Sequence, residues 1–424
     1  MVIHVVQAGE SLYSIAKEYG VDPALLAVEN GFSLQQALVV GQTVVVQFPD
    51  VVHRVRSGES LSAIAQQYGT DVTTLYRNNR WLMGRSTIRE GDLLVISYFG
   101  APKGRFAVSG YAYATIERGL LRSVLPYLSN LIPFTYGLTQ SGGLLPLADE
   151  ELLAIAADYE TRPVMHLSTI TEEGTFSNGR ASMVLNAPAL QQRLAAEVLE
   201  TIQRKGYTGL DVDFEFIFPE ERERYAEFVA LLRRTLAPHG YPVTVALAPK
   251  TAADQRGLLY EGHDYALLGA AADYVFLMTY EWGYTYGPPM AVAPLPNVRQ
   301  VLAYALTEIP AEKIILGVPN YGYDWPLPFV QGSSRAQSIS NETAVELARR
   351  YGAQILFDET GRAPWFRYVD EMGLEHEVWF EDARSIKEKL LLPPEYGLHG
   401  AGYWNLDRPF AQNWLVVNAL YQIL

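Results

Sequence analysis

From Phe106 onward the chain alternates short apolar runs with longer stretches whose apolar residues return every three to four positions. The apolar runs are Phe106–Tyr111, Leu131–Tyr136, Pro163–Leu167, Gly209–Phe214, Val243–Ala248, Tyr274–Met278, Ile314–Val318 and Gly402–Trp404. Runs of this length and character predict strands covered on both faces. Between them, Ala189–Arg204, Glu220–Leu236, Val298–Leu306 and Gln412–Leu424 carry the period of amphipathic helices. Eight buried strands, each followed by a helix, predict an α/β fold, a TIM (β/α)8 barrel over residues 105–424. A doubly wound open sheet has the same order of elements, and strand count alone does not exclude it. The regularity breaks between the last two strands. From about 326 to 382 a helix (Glu342–Tyr351) and the β-like stretches Ile355–Asp358, Trp365–Val369 and Glu375–Phe380 predict a small α+β insertion after strand seven.

The first hundred residues hold a different pattern, and it occurs twice. HVVQAGESLYSIAKEYGVDPALLAVEN from His4 is echoed by HRVRSGESLSAIAQQYGTDVTTLYRNN from His53. Gly9, Glu10, Ser11, Leu12 and Asn30 recur as Gly58, Glu59, Ser60, Leu61 and Asn79. Each copy opens extended and turns at a glycine. A short helix follows, with Leu12, Ile15, Ala16 and Tyr19 on one face in the first copy. Asp22 is placed to cap a second helix, and a closing strand follows Gly41 (Val44–Val46) or Gly91 (Leu93–Ile96). Two small βααβ modules are thus predicted, over 2–48 and 51–97. Residues 98–104, with Gly100, Pro102 and Gly104, read as a linker.

Composition narrows the partners. A net charge of −14 argues against nucleic acid or an anionic membrane. The 27 tyrosines and 7 tryptophans suit stacking on sugar rings, although core packing claims such rings too. There is no cysteine, so neither a disulfide framework nor a thiolate metal site is expected. No apolar run reaches the length of a membrane span, and Met1-Val2-Ile3-His4 leads into the first repeat without the pattern of a secretory signal peptide.

Candidate chemistry lies in Thr208-Gly-Leu-Asp-Val-Asp-Phe-Glu215. Alternation puts Asp211, Asp213 and Glu215 on one strand face and Leu210, Val212, Phe214 and Phe216 on the other. The acidic face would look into the barrel, with Glu215 last, at the C-terminal mouth where barrel active sites lie. Acids filed inside a barrel raise one another's pKa, which suits Glu215 to general-acid work near neutral pH. A solvated acidic strand would not pair these acids with Leu, Val and Phe. A divalent-metal site would want oxygen ligands from further strands, and no such cluster stands out; no metal or other cofactor is expected.

These motifs resemble known families. The repeated GESL…IA…YG…N…G unit resembles the LysM module across residues 2–97. That resemblance implies binding of N-acetylglucosamine-containing glycans through the loops Gly9–Leu12 with Asn30–Leu38 and Gly58–Leu61 with Asn79–Ile88, so Gly9, Glu10, Ser11, Leu12, Asn30, Gly58, Glu59, Ser60, Leu61 and Asn79 are candidate contacts. Gly9 and Gly58 read equally as turn glycines, and Leu12 and Leu61 as core. The acidic strand resembles the Asp-Gly-x-Asp-x-Asp-x-Glu signature of glycoside hydrolase family 18, with Thr208 in place of the first Asp. Ser109-Gly110-Tyr111, Leu247-Ala248-Pro249, Met278-Thr279-Tyr280-Glu281, Gly317–Tyr323 and Gly402-Tyr403-Trp404 match the same family in barrel order. Glu281 stands where that family usually has Asp.

The resemblance implies a retaining, substrate-assisted glycosidase. Glu215 would be general acid/base, Asp213 would orient the substrate's acetamido group, Asp211 would hold or share a proton, and Tyr280 would bond the acetamido carbonyl. Trp404 would floor the sugar, with Tyr111, Glu281, Asn320 and Tyr321 as further substrate contacts. His166 reads as a core residue or a support behind the acids. The whole chain resembles bacterial spore cortex-fragment-lytic N-acetylglucosaminidases, which implies peptidoglycan as partner, and synthesis in the mother-cell cytoplasm with deposition in the spore coat or cortex region. A chitinase of the same mechanism and a non-catalytic glycan-binding coat protein are the alternatives.

Overall fold

A computed structural model describes all 424 residues. At its centre a parallel sheet carries eight strands in barrel order: Arg105–Tyr113, Asn130–Phe134, a split third strand, Leu210–Asp213, Val243–Leu247, Tyr274–Leu277, Ile314–Pro319 and Gly400–Trp404. Pairing follows chain order from the third strand to the eighth, then on to the first and second. The two parts of the third strand face opposite ways round the ring: Arg162–Pro163 pairs with the second strand and Met165–Ser168 with the fourth. That split joins the ends of the sheet, so the fold is the barrel and not the open doubly wound alternative.

Both faces of the strands are covered, as their apolar runs required. Leu210, Val212 and Phe214 are wholly buried. Phe214 stacks on Tyr225 of the helix Arg222–Leu236, with ring planes 4° apart and centroids at 5.7 Å. The helix Pro188–Lys205 opens on a proline and closes at Gly206, whose φ of 76° ends it in the left-handed conformation. The last helix stops at Leu420, short of the expected Leu424. Gln422–Ile423 instead pairs with Arg105–Phe106 while Tyr421 stacks on Phe106 at 4.5 Å. Sequence periodicity had no view of that free strand start.

The insertion is a five-stranded antiparallel sheet with the helix Asn341–Arg350. Its second strand in sheet order, Gly322–Pro326, leaves barrel strand seven almost at once, so the sheet begins about four residues earlier than the pattern suggested. No helix is long and apolar enough to cross a membrane.

Each N-terminal repeat pairs its outer strands antiparallel, Val2–Val5 with Thr43–Val46 and Pro49–Arg54 with Leu93–Tyr98, around a core of 8 buried residues. Cores that small leave a module marginal alone, and both repeats are docked on the barrel. Val45 belongs to the barrel's core cluster. Gln412 Nε2 donates to Asn30 Oδ1 (3.1 Å) and to the Thr43 carbonyl (2.6 Å), while Thr43 Oγ1 donates to Gln412 Oε1 at 2.6 Å. In the second repeat Tyr127 donates to the Arg77 carbonyl (2.8 Å), and Asn418 Nδ2 donates to Asn78 Oδ1 (2.9 Å).

Candidate active site

Strand four delivers its acids inward. Asp211 is wholly buried, and its Oδ2 accepts from the Tyr111 hydroxyl of the first strand at 2.8 Å. Asp213 and Glu215 follow toward the mouth and line a cleft of about 310 Å³ with Tyr111, Tyr280, Glu281 and Trp404. Regular strand structure ends at Asp213, so Glu215 sits on the turn just beyond it. There the expected alternation fails at one position. Phe216 takes φ 58°, a conformation uncommon for a bulky side chain, and stands edge-on to the cleft residue Phe176 instead of packing outward.

No cation neutralises this file of acids. Burial pushes the Asp211 carboxyl up to about 8, against the lowering effect of the Tyr111 hydrogen bond. Burial likewise raises Asp213. Glu215 is held well above the usual carboxylate range, first by burial, then by Asp213 and Glu281. Oδ1 of Asp211 and Oδ1 of Asp213 are both buried without a protein partner. His166 Nε2 lies 3.5 Å from Asp211 and 3.7 Å from Asp213, too far for a direct hydrogen bond. Burial lowers its pKa to about 3, so it is a neutral imidazole at ordinary pH and not an ion-pair partner; Nδ1 bonds Thr135 Oγ1 at 2.5 Å. Acids without counter-charge in a dry site keep or share protons, and a proton held near neutral pH can be lent to a leaving group.

The remaining candidates fall into different places. Tyr280 is buried at the cleft wall. Trp404 is half-buried, edge-on to Tyr111, Tyr113 and Phe134, which leaves it an apolar ring at the base. Glu281 has φ 69°, which turns it back into the cleft, where Tyr321 and Tyr323 donate their hydroxyls to its carboxylate. Asn320 does not line the acidic cleft. It is buried, and its Nδ2 donates to the carbonyls of Asn405 (2.8 Å) and Arg408 (2.9 Å), bracing the loop after strand eight. Phe134, Phe176, Tyr260 and Trp282 also line the cleft, and sequence reasoning did not find them. Trp282 adjoins the sixth-strand motif and could have been suspected; Phe176 gave no signal.

In the repeats, most of the candidate glycan contacts are occupied with holding the modules together. Asn30 and Asn79 are buried, and each bridges a helix to the closing strand. Asn79 Nδ2 donates to the carbonyls of Leu75 (2.9 Å) and Val95 (2.8 Å), and its Oδ1 accepts from Val95 N–H at 2.8 Å. Ser11 and Ser60 cap helices, and Leu12 and Leu61 are core. Glu10 and Glu59 each accept a backbone N–H and sit 2.8 Å from His4 and His53. Gly9 and Gly58 hold φ near 80° (83° and 81°) with open space around them. Part of the first repeat's expected binding loop (Gly31, Phe32 and Gln36) faces the barrel across a hollow of about 440 Å³. That hollow is larger than the acidic cleft but holds none of its acids.

Acids filed to the mouth of a barrel, with aromatic rings walling the cleft beside them, fit the class of carbohydrate-cleaving barrel enzymes. Residues 171–408 match glycosyl hydrolases family 18, and residues 4–47 and 53–97 each match the LysM domain. The chain belongs to glycosyl hydrolases family 18 and carries two LysM domains. It is 39% identical over 422 residues to a cortical fragment-lytic enzyme of Bacillus cereus, covering 97% of this chain and 96% of that one. Among solved structures it is similar to the Bacillus cereus spore cortex-lytic enzyme SleL, with TM-score 0.84, 36% identity and coverage of 100% and 98% of the two chains. The Bacillus megaterium QM B1551 SleL gives TM-score 0.83 at 35% identity, with the same coverage.

Proposed function

We propose that this glycosidase hydrolyses N-acetylglucosaminyl bonds of spore-cortex peptidoglycan or its fragments, with retention and with the substrate's own acetamido oxygen as nucleophile. The observation that carries the reading is the inward file Asp211, Asp213 and Glu215, the first two buried and the third half-buried, with no Lys or Arg paired to them and with Tyr280 and Trp404 alongside. Glu215 lends its proton to the leaving oxygen and then takes one from water. Asp213 orients the acetamido group and stabilises the positive charge of the oxazolinium ring. Asp211, behind it, takes up or returns the shared proton. Tyr280 bonds the acetamido carbonyl, and Trp404 underlies the ring. The LysM domains hold the same class of glycan, and action on the spore, after deposition by the mother cell, goes with this substrate.

The test is mass spectrometry of products from purified cortex fragments and from chitin oligomers. Glu215→Gln should lower kcat by about 10³-fold or more while pull-down on peptidoglycan is unchanged. A loss of only about tenfold would remove Glu215 from the acid's role. Turnover of chitin oligomers alone would make the protein a chitinase. Binding with no turnover above the Glu215→Gln control would make it a glycan-binding protein.

A further inference from the structure

Strand four loses its partner on one side just where it hands its acids to the cleft. It pairs with strand five from Leu210 to Val212 and no further. Phe214, between Asp213 and Glu215, lies past that limit, wholly buried, and neither its N–H nor its C=O makes a backbone hydrogen bond. Buried backbone groups need partners, and here side chains supply them. Phe214 N–H donates to the Tyr225 hydroxyl over a long 3.4 Å. The Phe214 carbonyl lies 3.0 Å from His263 Nε2, while His263 Nδ1 accepts from Ala248 N–H, just past the end of strand five, at 2.9 Å. Since Nδ1 accepts, the ring proton is on Nε2 and is donated to the carbonyl. One imidazole thus stands where a further ladder bond between strands four and five would have been.

His263 is wholly buried and does not line the cleft, so it acts only through what it holds. It is held firmly itself. Lys250 Nζ donates to its carbonyl at 3.0 Å, and its ring packs on Tyr225 with centroids 5.9 Å apart. The approach needs the glycine before it, because a Cβ on Gly262 would collide with the Ile217 carbonyl. Burial lowers the His263 pKa to about 4, which leaves a neutral ring that donates on one edge and accepts on the other. We infer that His263 is a positioning residue for Glu215, clamping the backbone between Asp213 and Glu215 to the end of strand five. The inference rests on Glu215 as the acid. An imidazole also holds two backbones further apart than a direct ladder bond does. The same clamp therefore opens the mouth between strands four and five, where Pro249 lines the cleft.

Two aryl glycosides of the cortex disaccharide, each with N-acetylglucosamine bonded to the aryl group, test this. One releases phenol, which needs a proton as it leaves; the other releases 2,4-dinitrophenol, which does not. The measure is kcat/KM, which reports the bond-breaking step. His263→Leu should lose about 10²-fold on the phenyl glycoside, the scale of a misplaced catalytic group, and stay near wild type on the dinitrophenyl one. Glu215→Gln should show the same contrast more strongly. His263→Gln, whose amide can accept from Ala248 and donate to Phe214, should regain most of the loss. A residue that merely stabilised the barrel would affect both substrates alike, so equal losses in a folded His263→Leu overturn the inference. A Gln variant no better than the Leu one overturns it too. If His263→Leu does not fold, His263→Asn, whose shorter amide reaches only one of the two backbone groups, is judged by the same contrast. A wild type that cleaves neither glycoside, or a Glu215→Gln variant without the contrast, brings down the reading of Glu215 as acid, and this inference with it. Loss of the contrast in the His263 variants alone brings down only this inference.

Discussion

The Tyr111 hydroxyl donates to Asp211 Oδ2 at 2.8 Å across the barrel interior, and it is the only side-chain hydrogen bond that this deepest acid receives. The bond favours the ionised carboxylate, while burial favours the neutral acid and wins.

Tyr111→Phe removes the one group that lowers the Asp211 pKa. The deep acid should then hold its proton to higher pH, and the alkaline limb of the kcat profile should move upward. A profile that moves down, or not at all, in a fully folded variant would show that Asp211 does not titrate with the catalytic set.

Asp211→Asn should change how stability depends on pH. The folded pKa of Asp211 is raised to about 8, so above the unfolded value the native state holds a proton that the unfolded chain has released. Stability is therefore greatest at low pH with respect to this group, and is lost as pH climbs from about 4 towards 8, at up to ~1.4 kcal/mol per pH unit. Urea titrations across that window should show a shallower decline in the Asn variant. An identical slope would mean that the group is ionised in the native state.

Asn79→Ala deletes three buried hydrogen bonds, one to the second LysM domain's helix at Leu75 and two to its closing strand at Val95. A loss of ~2–4 kcal/mol is expected, seen as faster amide exchange over residues 53–97. A variant of normal stability that has lost glycan affinity would instead make Asn79 a contact residue.

Removing residues 1–98 should do more than cut a tether. The deletion strips partners from Gln412, Tyr127 and Asn418 and uncovers apolar barrel surface next to Val45. A lower melting temperature and reduced turnover of soluble fragments are both expected. A shortened chain as stable and active as the whole would show that the modules act only by raising local concentration.

Much of the fold could be read from the chain because its signals are local. All eight barrel strands appear near their apolar runs, since burial on both faces leaves little polar alternation outside the acidic fourth strand. The acids of strand four could be placed by counting, as far as Glu215. Past it, the left-handed turns at Phe216 and Glu281 aim side chains in ways that a two-residue period does not encode. The roles of Asn30, Asn79 and Asn320 were harder to see, because an asparagine that grips backbone and one that grips sugar have the same letter and loop position. Nor did the linker-like composition of 98–104 reveal that both modules lie against the barrel, a property of surfaces that meet far apart in sequence.

Docking of both LysM domains has a mechanical consequence. If Glu215 acts as proposed, a glycan strand gripped by the repeats would be presented to it at a set offset, as between the jaws of a caliper. Advance along insoluble wall then requires the whole molecule to let go and step, and cuts should recur at a spacing dictated by the body of the enzyme instead of by the reach of a swinging arm.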